Sequence, residues 1–189
     1  VNRVVTGNAD PAAGAVNIRL FATLLFASLA TTLVHEAGHY GMGIALGHEM
    51  RMTLNHASPV SLIAIPDTDL LLIVAAGPFV TVLQALVAFF LIRSRGLLFA
   101  YPFLFAAWFM RFAAAFVSLA HPNDEARLSA ELLGGMWWLP AGVVLGLSML
   151  LWTASRRLGL GWKTNAVCYL ICSAMTAAIV FGDRWWLQA

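Results

Sequence analysis

Charge is what this sequence has least of. Only 11% of its residues are Asp, Glu, Lys or Arg, against roughly 25% in a soluble domain. So few charges cannot furnish a water-facing surface, which excludes an ordinary soluble globule. The net charge of +2 comes with no basic stripe interleaved with aromatics, so nucleic acid is excluded as a partner. Cysteine is nearly absent too. Cys168 and Cys172 lie four apart in an apolar run and read as small packing residues rather than a disulfide pair. No cleavable signal peptide is expected, because the first apolar segment carries the polar motif His35–His39.

What the sequence has instead is uncharged apolar length. It is 61% hydrophobic, and residues 70–92, 132–155 and 164–182 contain no charged side chain. Each run approaches or exceeds the roughly 18 residues that suggest a bilayer span. Five helices are predicted, over residues 17–47, 70–92, 97–120, 136–155 and 164–181. Gly47, the Arg93-Ser94-Arg95-Gly96 turn, Pro122 and Gly134-Gly135 supply the breaks between them. The expected fold is an all-α polytopic membrane protein of about five transmembrane helices. Residues 1–16, polar and carrying Gly and Pro, read as a loose tail, and 17–189 as one membrane-embedded domain.

Two stretches are neither span nor tail. In residues 49–65, Met50, Met52 and Leu54 alternate with Arg51, Thr53 and Asn55, and the turn-like Asn55-His56-Ala57-Ser58-Pro59 follows; this pattern suggests a small β-hairpin. Residues 123–133 suggest a short amphipathic helix, with Asn123 as its cap and Asp124 and Glu125 in its first turn. Five antiparallel spans bring the ends of the first and third helices to one membrane face. The clusters His35–His39 and His121–Glu125, the hairpin, Asp67 and Asp69 are therefore expected together.

The sharpest signal is His35-Glu36-Ala37-Gly38-His39. Residues four apart share a helix face, so His35 and His39 can present two imidazoles to one metal ion. Glu36, one position on, is placed to act as a general base rather than as a third ligand. That chemistry suits one Zn²⁺ ion. At this composition such a motif arises by chance roughly 0.003 times per chain. Two His and a Glu among Leu33, Val34 and Ile44 are also costly in a bilayer unless something compensates them.

With these residues the chain resembles the site-2 protease family of intramembrane zinc metalloproteases. The likeness rests on His35–His39 followed by Gly41, Gly43 and Gly47, on Ala75-Ala76-Gly77-Pro78 opening the next span, and on Pro122-Asn123-Asp124 after a further apolar run. It covers roughly residues 20–133, making 17–133 the core and 134–189 accessory helices. It departs from the family at Thr81, where Asn is frequent, and at Asn123-Asp124-Glu125, where the family has Leu-Asp-Gly. The resemblance implies Asp124 as third zinc ligand, Glu36 as catalytic base, and a membrane-protein substrate cut in or near a transmembrane segment. It also implies an extended substrate held along a strand edge, for which Met52, Thr53, Leu54 and Asn55 are the candidates.

Other readings stand beside this one. His121, Asn123, Glu125 and Glu131 are alternative third ligands, although neither Glu125 nor Glu131 has an Asp or Asn four residues later. Arg111, inside an apolar helix, pairs with a carboxylate near the site or snorkels. His48 is expected to face solvent or headgroups, His56 to be a turn residue, and Trp137, Trp138, Trp185 and Trp186 to anchor at the interface. The excess of Arg and Lys on the N-terminal side puts the metal-bearing end outside the cytoplasm, whereas the resemblance puts it nearer the cytosol. Alternatives of other classes are a catalytically silent relative that binds membrane clients and a membrane metal-binding or transport protein. Chelator-sensitive cleavage separates the first from an enzyme, and metal flux identifies a transporter.

Overall fold

The computed structural model describes residues 11–61 and 65–188, with side chains described for 18–61 and 65–183. Among them are six helices: α1 (Pro11–Ala45), α2 (Asp67–Arg95), α3 (Tyr101–Val117), α4 (Asp124–Leu133), α5 (Trp138–Arg157) and α6 (Trp162–Gln188). Five are long and apolar enough to cross a membrane; α4 is the exception. The expected fold class is thus the observed one. α1 begins earlier than the sequence reading placed it. Pro11 heads the helix and Ala12 and Ala13 follow, a good first turn because Pro is preset for it and Ala favours helix. The rest of the expected tail, residues 1–10, lies outside the described residues.

Helix ends follow local chemistry. Asp67 and Asp69 lie in the first turn of α2 and Arg93 and Arg95 in its last, each complementing the helix dipole. Gly96 then closes α2 in the left-handed region, at φ 64°. A short 3₁₀ turn, Leu98–Ala100, leads into α3, whose first turn carries Pro102. Asn123 occupies the cap position of α4, although its side chain makes no capping hydrogen bond.

The expected hairpin is present as two three-residue strands, β1 (Met50–Met52) and β2 (Ala57–Pro59). They pair antiparallel with Arg51 opposite Ser58. β1 and β2 both pack on α1, and Met50 sits where a side chain on Gly43 would be.

The core lies between α1, α2, α3, α5 and α6. Leu24, Ile92, Tyr101, Leu104 and Phe105 fill it, while small buried residues (Ala85, Ala107, Ala154) let the backbones approach. Apolar side chains such as Phe26, Phe90, Trp152 and Phe181 point outward, as helices facing lipid require. Two polar clusters tie the spans together. Gln84 of α2 donates to Thr31 Oγ1 of α1 (2.8 Å) and to the Phe103 carbonyl of α3 (3.1 Å). At the start of α3 the Tyr101 hydroxyl meets Ser155 Oγ of α5 (2.6 Å) and Asn165 Oδ1 of α6.

Candidate metal centre

α1 delivers two imidazoles one helical turn apart into the bundle. His35 and His39 are both buried, and their Nε2 atoms lie 3.2 Å from each other. From the other side, Asp124 at the start of α4 brings Oδ2 to 3.3 Å from His35 Nε2 and 3.4 Å from His39 Nε2. Three ligand atoms thus form a nearly equilateral triangle. A four-coordinate zinc with bonds of about 2.0–2.1 Å separates its ligands by about 3.3–3.4 Å, which matches.

The remaining hydrogen bonds decide what these atoms can do. His39 Nδ1 lies 2.7 Å from the Ile73 carbonyl oxygen, which only accepts, so Nδ1 carries the proton. His35 Nδ1 lies 3.1 Å from Thr81 Oγ1. The Thr81 hydroxyl gives its own proton to the Gly77 carbonyl (3.0 Å), so it accepts from His35 Nδ1. Both neutral imidazoles therefore turn a bare Nε2 lone pair toward the other and toward a carboxylate oxygen. Three acceptors without a donor repel; a cation or added protons must sit among them. Orientation of ligand histidines through the far nitrogen is usual at metal sites. The residues present fit a metal ion, and among the described residues they are the group of His, Cys, Asp or Glu side chains able to hold one.

Close backbone approach makes the arrangement fit. A Cβ on Gly77 would lie 2.2 Å from His39 Nε2 and 2.7 Å from His35 Cε1, and one on Gly38 would meet the Ala76 carbonyl at 2.9 Å. The missing side chains let α1 and α2 touch where the imidazoles emerge.

Glu36 is buried beside the triad but outside it. Its carboxylate accepts a hydrogen bond from the Ala57 amide of β2. Together with His35, His39 and Asp124 it borders a cavity of about 820 Å³, closed by Asn55–Pro59 of the hairpin, Arg111 of α3, and Thr176, Ile179 and Val180 of α6.

Of the candidate substrate-binding residues, Asn55 lines this cavity, whereas Met52, Thr53 and Leu54 do not. The strand facing the site is β2. The Thr53 hydroxyl (2.7 Å) and the Leu54 amide (3.0 Å) donate instead to the carboxylate of Asp183, near the end of α6. Among the alternative third ligands, His121 is exposed, Glu125 is buried against Arg111, and Glu131 borders a separate cavity between α2 and α4. His48 faces neither solvent nor headgroups alone: its Nε2 lies 2.9 Å from Asp69 Oδ2, tying the end of α1 to the start of α2.

No protein-family model, curated protein or solved structure matches this chain. The contribution of Asp183, far along the chain from the hairpin, has no local signal in the sequence. Gly77 does have one, since Gly before an intrahelical Pro is an unusual pairing in a span.

Proposed function

We propose that this chain is a multi-pass membrane zinc metalloprotease that hydrolyses peptide bonds in or near the transmembrane segments of other membrane proteins. The observation that carries the reading is the convergence of three bare acceptors, His35 Nε2, His39 Nε2 and Asp124 Oδ2, with a second carboxylate, Glu36, beside them. Two imidazoles and a carboxylate also suit Fe(II). Glu36 favours hydrolysis, because a carboxylate next to the ion but not bound to it is what a general base needs.

The chemistry a Zn²⁺ ion supplies when bound is Lewis acidity, toward water and toward a substrate carbonyl. His35, His39 and Asp124 would hold it, and Thr81 and the Ile73 carbonyl keep the imidazoles oriented. Glu36 takes the proton of the attacking water and passes it to the leaving amine. The Ala57 amide on its carboxylate keeps that group aimed into the cavity. Ile179 and Val180 of α6 give the cavity an apolar wall, and Asn55 with β2 offers an extended edge for a locally unwound substrate.

The test is Glu36→Gln on the full chain in lipid nanodiscs, with metal measured by mass spectrometry and a transmembrane reporter peptide as substrate. Zinc stays at one ion per chain while cleavage slows by about 10²–10⁴-fold. Cleavage at the original rate refutes the role of Glu36. A zinc-replete chain without metal refutes the site.

A further inference from the structure

Arg111 lies within the third candidate span, borders the cavity beside the metal centre and is buried, at 3% exposure. Its Nη1 donates to Glu125 Oε1 at 2.8 Å, and Glu125 is itself 5% exposed. Arg111 Nε has no hydrogen-bond partner among the described residues. A buried ion pair seldom stabilises a fold more than a well-packed apolar pair would, and its best-attested use is to fix a register. Here the register is that of α4. Glu125 is the residue after Asp124, and one helical residue is a rotation of about 100°. If Glu125 stays on Arg111, Asp124 is turned toward the two imidazoles. If α4 slips by one residue, Asp124 leaves them and Arg111 is stranded as an unpaired buried charge.

The segment that joins α3 to α4 continues the end of α3 through turns, with the Leu119, Ala120 and His121 amides bonded back to Phe116 and Val117, and the Asn123 amide donates to Ser118 Oγ (3.1 Å). These bonds tie the segment to α3 rather than to α4, and His121 and Pro122 within it are exposed. α4 is also the helix that does not span, so bilayer crossing does not orient it.

We propose that Arg111 is a positioning residue: through Glu125 it sets the rotation of α4 and thereby places Asp124 as the third metal ligand. The inference rests on the metal-site reading above. It assigns a role to a charge that the hydrolytic step does not use.

The experiment titrates the full chain in nanodiscs with Co²⁺ against a competing chelator and records the visible absorption of the bound ion. Arg111→Gln weakens Co²⁺ binding by about 10–100-fold and lowers the intensity of the absorption bands. Because Arg111→Gln leaves Glu125 buried without its partner and risks misfolding, the pair Arg111→Met with Glu125→Leu is measured too. That pair removes the bridge without stranding a charge and produces the same loss. In an Asp124→Asn background, both sets of changes alter affinity less than about threefold, because the ligand they position is gone. Unchanged Co²⁺ affinity in the paired variant overturns the proposal. So does an equal loss with and without Asp124, which would mark a general packing defect. If the unaltered chain binds no Co²⁺, the metal reading falls first and this inference with it.

Discussion

Two of the polar clusters inside this bundle are built on opposite rules. At the start of α3, Tyr101, Ser155 and Asn165 bring hydroxyls and an amide into a closed set: Tyr101 donates to Asn165 Oδ1, and Asn165 Nδ2 donates to Ser155 Oγ (3.3 Å). Each of the three side chains gives a proton to another, Ser155 Oγ to the Tyr101 hydroxyl, so the cluster closes on itself. Near the far ends of α1 and α3, His35, His39 and Asp124 meet acceptor to acceptor. Their protons are already committed to Thr81 and to the Ile73 carbonyl. A cluster that satisfies itself serves the fold. One whose lone pairs converge without a donor is unfinished until something positive arrives. The difference lies in where the protons go, not in burial, since Tyr101, His35 and His39 are all buried.

Substitutions can break that contrast. His39→Ala removes one corner of the triangle and has the largest expected effect: bound metal falls from one ion per chain to none by mass spectrometry, and cleavage falls below detection. Retention of stoichiometric metal would refute the assigned ligand set. Gly77→Ala keeps every ligand residue but puts a methyl group 2.2 Å from His39 Nε2, which must shift. Metal affinity then drops by about 10–100-fold, the usual range for disturbing groups that orient a ligand, as chelator competition would measure. The control is Gly41→Ala, where an added Cβ meets nothing within 4 Å. There the helix gains up to about 1 kcal/mol, and metal binding is unchanged. Tyr101→Phe sharpens the comparison from the other side. It removes the central hydroxyl of the self-satisfied cluster, costing about 1 kcal/mol of stability in a detergent-unfolding titration. Metal content and cleavage stay as they were. A loss of metal there would mean the two clusters are coupled, contrary to their separation at opposite ends of α3.

The parts legible in the sequence are those with short-range causes. Span length and the lack of charge foretell five apolar helices. The i, i+4 spacing of His35 and His39 foretells a shared face. Alternation and turn residues foretell the hairpin. Parity of the spans brings Asp124 to the same end as the histidines, and the structure puts its carboxylate within 3.4 Å of both rings.

Features that depend on how one helix is rotated against another were not legible. Sequence marks Thr81 only as a departure from a family pattern, whereas in the fold its hydroxyl orients His35. Alternation marks Met52–Asn55 as an extended edge but cannot say which strand turns inward. That is decided by Asp183, which draws Thr53 and Leu54 toward α6, and by the contact of Ala57 with Glu36. His48 is an ordinary polar residue in a loop until α2 brings Asp69 beside it.

The order of the ligands along the chain has a consequence for biogenesis. His35 and His39 belong to the first candidate span and Asp124 follows the third, so a nascent chain carries half a site until two further candidate spans have been made. The clasp can close only once α4 has emerged and folded back. An ion that binds the closed form alone then favours it by mass action, by about 2.7 kcal/mol at a hundred times its dissociation constant. On the proposed reading, metal supply during synthesis would thus govern how many chains finish assembling.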